Sequence, residues 1–138
     1  KLYCIIYVMN LLKILNVENQ ENINVYNLIS DFFKFLIDDN WLLKVILWEL
    51  KFFKIIGYDI DFSKYVTNNI VDGDQKYFVE KNKKIIPNFL INNNSYPKNN
   101  NELLSGFKIV GNFLDKTIIK PNNLSYPISR TEFINLIK

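Results

Sequence analysis

The 138-residue chain has no histidine, only one cysteine and one methionine, and only four glycines and four prolines. Alanine is missing too, and Arg130 is the lone arginine. Without histidine the commonest general base at neutral pH is gone. Cys4 permits no internal disulfide and no cysteine cluster for zinc. It stands in a strongly apolar run, where a thiol packs rather than attacks. No Gly-x-Ser-x-Gly elbow, phosphate-cradling glycine loop or metal-ligand spacing is present. Asp59 and Asp61 are close together, but they follow a helix stop and suit a turn. These absences lead us to expect a binding protein, not an enzyme, with no metal and no cofactor.

Uninterrupted apolar runs of membrane-spanning length are also missing. Lys44, Glu49, Lys51 and Lys54 break residues 41–60, and Asn10 and Lys13 break the first fifteen, which no cleavage site follows. The expectation is a protein without membrane contact, in a reducing cytoplasmic setting. Net charge is only +3, with a pI near 8.9. That permits contact with phosphate or with an acidic peptide but does not demand it.

What is abundant is Asn, Ile, Lys and Phe. Nearly half of the residues are apolar and eleven are Phe, enough for an aromatic-rich core in one domain over residues 1–138. The Asn, Ile and Lys bias matches AT-rich codon usage, so the Asn-rich stretches are not read as sites.

Residues 41–64, WLLKVILWELKFFKIIGYDIDFSK, are the most informative segment. Trp41, Val45, Trp48, Phe52 and Ile55 recur at helical spacing, and further apolar residues fill most of the circumference. Lys44, Lys51 and Lys54 leave a thin polar stripe. Such a helix is expected to be the central post of a bundle. Asp39 or Asn40 can cap its start, and Gly57 can end it in a left-handed conformation. Glu49 falls on the apolar side and needs a partner there. Arg130 is the expected one, in a structural salt bridge. A Glu49→Gln variant of unchanged stability would dismiss that pair.

Around this post the spacing gives a helix over residues 2–15, with Leu2, Ile5, Ile6, Met9 and Leu12 inward and Tyr3, Tyr7 and Asn10 on a wetter side. A polar link, 16–22, leads to an amphipathic helix over 24–38, with Val25, Leu28, Ile29, Phe32, Phe35 and Leu36 on its apolar face. Residues 66–74 read as loop. Residues 76–80 and 84–87 read as one small hairpin around Lys81, Asn82 and Lys83, limited to an edge by Pro87. A further helix covers 102–119, facing inward through Leu103, Phe107, Val110, Leu114 and Ile118, with Gly106 and Gly111 where a neighbour approaches closely and Pro121 as its stop. Ser129 and Glu132 have capping-box spacing and open a last helix carrying Phe133, Ile134 and Ile137. The expected fold is mainly α: a helical bundle around a central apolar helix, with one small β-hairpin.

Order and spacing of these elements resemble the C-terminal helical domain of the bacterial recombination mediator RecO, in its alphaproteobacterial form. Trp41, Trp48, Glu49 and Leu50 resemble that family's central helix. Ile56, Gly57 and Tyr58, then Asp61, Phe62 and Ser63, echo the turn after it. The hairpin over 77–86, the GFKIVGNFLDKTIIKP stretch over 106–121 and Arg130 fall where the family has its hairpin, next helix and last-helix arginine. Many members carry four zinc-binding cysteines around the hairpin. Tyr65 and Asn68 stand at the first two of those positions, so no zinc is expected. The family's N-terminal OB-fold domain is not in this chain; either it lies upstream or the protein is a degenerate form.

The resemblance implies part of a DNA repair and recombination mediator. It implies DNA as a ligand, with help from that OB-fold, and the single-strand-binding protein's acidic tail and RecR as partners, in strand annealing and RecA loading. Lys76, Lys81, Lys83 and Lys84 cluster at the hairpin, where they suit phosphate tracking or protection of a strand edge. Lys108, Lys116, Lys120 and Arg130 suit an acidic tail or a solvated helix face. Trp41, Trp48, Glu49 and Gly57 are expected to be structural. The competing reading is a helical protein–protein interaction module unrelated to repair.

Overall fold

The computed structural model describes residues 1–15, 22–92 and 94–138. The polar link expected over 16–22 lies, but for Asn22, outside the described residues. The fold is mainly α. In order come α1 (Leu2–Ile14), α2 (Ile23–Phe35), α3 (Trp41–Ile55), β1 (Val66–Val71), β2 (Asp74–Val79), β3 (Ile85–Ile86), α4 (Asn100–Phe113) and α5 (Ile128–Ile137). A π-helical segment, Leu114–Ile119, continues α4. Two compact units arise, one from residues 1–41 with 111–138, the other from 42–110.

In the first unit α1 packs on α5. Tyr7 of α1 stacks on Phe133 of α5 with ring centroids 6.3 Å apart. Trp41 reaches the same phenylalanine at 6.1 Å. The face expected of α1 needs correction. Cys4, Tyr7, Val8, Leu11 and Leu12 are buried, whereas Leu2, Tyr3, Ile6 and Met9 are exposed. An almost wholly apolar helix does not encode its own rotation, and contacts with α5 decide it. On α2 the expected pattern holds: Val25, Leu28, Phe32 and Leu36 are buried, and Asn22 caps the helix by accepting the Asn24 N–H at 3.0 Å.

Ser129 does not cap α5. The helix begins one residue before it, at Ile128. Its hydroxyl instead accepts from Asn10 Nδ2 of α1 at 3.0 Å. A capping arrangement stands at α4: Asn99 Oδ1 accepts the Glu102 N–H at 2.9 Å, and Glu102 reaches back to the Lys98 N–H at 2.6 Å.

The second unit holds nearly all of α3. Leu43, Val45, Ile46, Trp48, Glu49, Phe52 and Phe53 are buried, and Lys51 and Lys54 are the exposed positions of the helix. Its end is a Schellman motif. Gly57 has φ +105°, the Tyr58 N–H donates to the Phe53 carbonyl at 2.8 Å, and the Gly57 N–H donates to Lys54 at 3.1 Å. Gly106 of α4 lies so close to Phe89 and Ile46 that a methyl group there would meet the Phe89 ring at 2.5 Å.

The sheet is larger than one hairpin. Its order is β1-β2-β3, antiparallel throughout. The hairpin read over 76–80 and 84–87 is present as β2 and β3, with Tyr77 opposite Ile86 and Phe78 opposite Ile85. Residues 66–74, expected as loop, instead supply β1 and its turn. Asp72 and Gly73 have φ +54° and +80°, the two-residue turn that an Asp-Gly pair favours because both positions are left-handed.

Candidate nucleic-acid interface

The turn from β2 to β3 is built by its backbone. The Val79 N–H donates to the Lys84 carbonyl at 2.8 Å, and the Lys83 N–H returns to the Val79 carbonyl at 2.9 Å. Asn82 Oδ1 accepts the Lys84 N–H at 3.1 Å, and Lys83 takes a left-handed φ of +56°. This knot leaves Lys81, Lys83 and Lys84 exposed together at the tip. None of the three has a carboxylate within 4.0 Å among the described residues. Lys76 is apart from them. It is half-buried in the middle of β2, opposite Asn69, and its charge helps lower the Asp74 pKa.

β1 brings two further residues to the basic end. Val66 pairs with Val79, so Lys64 and Tyr65, just before β1, stand beside the end of β2. The Glu80 N–H donates to the Tyr65 carbonyl at 3.4 Å. Asp61 fixes the turn that carries them, accepting the Ser63 N–H at 3.1 Å and the Ser63 hydroxyl. That hydroxyl bond is the main cause of the lowered Asp61 pKa, with the Ser63 N–H and Lys64 adding to it. Lys64 is 4.0 Å from Asp61, a loose exposed pair. Tyr65 is 65 % exposed. Sequence reading missed Lys64 and Tyr65 as site residues because it did not see β1; the Asp72-Gly73 turn was the signal available.

This end of the sheet therefore joins four lysines to an exposed aromatic ring. Lysines neutralise phosphates, and a tyrosine face stacks on a base. The opposite end is acidic, with Asp72 and Asp74. Asp74 Oδ2 accepts from Lys98 Nζ at 2.6 Å, which lowers the Asp74 pKa and raises that of Lys98. Along the sheet lies a cavity of about 690 Å³, lined among others by Val66, Asn68, Tyr77 and Ile91.

The other expected residues belong to both units. Lys108 is exposed on α4, in the second unit. Lys116 and Lys120 are exposed on and after the π-helical segment, in the first, and Lys120 Nζ is 2.9 Å from Asp115. Arg130, expected both as a tail contact and as a buried partner for Glu49, is 2 % exposed and so is not on the surface. Its guanidinium lies 5.8 Å from the Tyr7 ring centroid and donates to the Tyr126 hydroxyl at 3.1 Å. Glycine at 111 leaves room for it, because a methyl group there would collide with Arg130 Nη1.

Of the residues expected to be structural, Trp48 and Glu49 are buried and Trp41 is half-buried under Lys1, whose Nζ lies 5.7 Å from its ring. Glu49 is 0 % exposed. Among the described residues no buried side-chain nitrogen or oxygen lacks a hydrogen-bond partner. No group of three or more His, Cys, Asp or Glu among them is placed to hold a metal ion. None of their helices is long and apolar enough to cross a membrane.

No curated protein and no solved structure matches the chain. Residues 1–119 match the family described as Recombination protein O C terminal. That match runs from α1 to the end of the π-helical segment, and with it the chain belongs to the RecO C-terminal family, whose work is recombination repair.

Proposed function

We propose that this chain is the helical docking body of a recombination mediator and does no covalent chemistry itself. It contacts DNA through the basic end of its sheet, and it receives the single-strand-binding protein's acidic tail and RecR. Its part in strand annealing and RecA loading is to hold these partners together. The observation that carries the DNA contact is the exposed lysine tip at 81, 83 and 84, which has no ion-pair partner among the described residues, reinforced by Lys64 and Tyr65. Protein docking draws on a different feature. Ile23, Tyr26 and Phe33 of α2, with Ile37 beyond it, form an exposed apolar row, the kind of surface that protein partners cover.

Three titrations test the reading: the chain against labelled single-stranded DNA, against a peptide with the acidic tail, and against RecR. Binding of DNA and of at least one protein partner is expected. Binding of none of the three would contradict it and leave a helical interaction module with another role.

A further inference from the structure

Among the described residues the sheet has one long edge with no strand beside it. Among them β1 pairs only with β2, so the outward backbone groups of Val66–Val71 are unmatched by any strand there. Natural edges of this kind are guarded by lysine, proline or a bulge. β1 has no such guard: Val-Thr-Asn-Asn-Ile-Val is uncharged, and Thr67, Asn68, Asn69 and Ile70 are exposed.

We propose that the edge of β1 pairs antiparallel with β1 of a second copy, about a two-fold axis at Asn68, joining two three-stranded sheets into one of six. A two-fold axis normal to a sheet keeps every residue on its own face. Opposed residues must therefore be an even number apart, since side chains alternate along a strand. Centring on Asn68 sets Asn68 opposite itself, Thr67 opposite Asn69, Val66 opposite Ile70 and Tyr65 opposite Val71. Polar meets polar and β-branched meets apolar at every step. Centring on Asn69 instead opposes Val66 to Asp72 and Asn68 to Ile70. Centring on Thr67 opposes Lys64 to Ile70.

Charge selects the same register. The Asn68 axis brings Lys64 of each copy alongside Asp72 of the other. The basic end of one sheet thus meets the acidic turn of its neighbour, twice. One strand edge is a small contact, below the roughly 1,200 Å² of a stable interface, so the pairing is weak and concentration-dependent.

Sedimentation velocity of the intact chain, from micromolar to millimolar concentration, gives the first readout: a monomer–dimer equilibrium is expected. Placing lysine on the edge, Thr67→Lys with Asn69→Lys, should weaken the dimer at least about tenfold, because the positive charges then face each other across the axis. Lys64→Asp and Asp72→Lys should each weaken it, and the two together should restore it. Asn68→Cys tests the register without relying on those variants. Directly opposed residues are about 4.5–5.5 Å apart, within disulfide reach. Cys4 is fully buried and does not compete. Under mild oxidation Asn68→Cys should form a linked dimer much faster than Gln75→Cys on β2. A chain that stays monomeric at the highest concentration overturns the proposal, as does cross-linking of Asn68→Cys no faster than that of Gln75→Cys.

Discussion

At the scale of single residues, Arg130 shows how type and place separate. Two roles are expected of it from sequence, a buried partner for Glu49 and a cation for an acidic tail, and its burial at 2 % exposure excludes the second. The structure holds it between the Tyr7 ring and the Tyr126 hydroxyl, with Gly111 making the space. We expect Arg130→Ala to lower stability by about 2–4 kcal/mol, from the lost packing and the lost hydrogen bond to Tyr126. Urea unfolding measures it, and a change below about 0.5 kcal/mol, the size of a surface substitution, would contradict the placement. Gly57 is the opposite case, legible because only the backbone is involved. At φ +105° an alanine is strained, so Gly57→Ala should cost about 1 kcal/mol in the same assay.

At the scale of elements, α2, α3 and α4 were legible because their apolar spacing is sharp and their stops are chemical: Gly57 for α3 and Pro121 beyond α4. The rotation of α1 was not, since Leu2, Ile6 and Met9 are as apolar as the Val8 and Leu11 it buries. The start of α5 was not either. The Ser129 hydroxyl answers to Asn10, 119 residues away, and a local capping rule cannot see that far. β1 was hidden by Asn68 and Asn69, which favour loops in isolation, although Asp72-Gly73 carried the turn signal. The lysine tip was legible as a cluster, while Lys64 and Tyr65 needed the strand pairing to join it.

Two element-level predictions follow from contacts of the second unit. Gly106→Ala gains about 1 kcal/mol of helix propensity but drives a methyl group into the Phe89 ring. Overpacking of about 1–3 kcal/mol should dominate, and a more stable variant would show that the ring moves freely. The Lys98–Asp74 bond ties the segment before α4 to β2. Asp74 has a lowered pKa, so its contribution is present above the usual carboxylate range and lost as pH falls through its lowered value. Lys98 has a raised pKa, so its contribution is present below the usual lysine value and lost as pH rises through the raised one. Amide exchange near Lys98 should therefore be insensitive to this pair from weakly acidic to mildly alkaline pH, once intrinsic rates are removed, and should quicken in strong acid. Protection unchanged in an Asp74→Asn variant would show that the pair does not hold the segment.

At the scale of the whole molecule, an aromatic-rich helical protein carries one small sheet whose two ends differ in charge. The family places it in recombination repair. The proposed DNA contact rests on the basic end, where Lys81, Lys83 and Lys84 have no carboxylate within 4.0 Å among the described residues. The most direct measurement is the salt dependence of duplex-DNA affinity, for the wild-type chain and for a variant with Lys81, Lys83 and Lys84 changed to Gln. Each phosphate contact contributes about 0.9 to the slope of log affinity against log salt, so the variant should lose about two to three from the slope's magnitude while staying folded. A slope and an affinity that match the wild type would contradict the account.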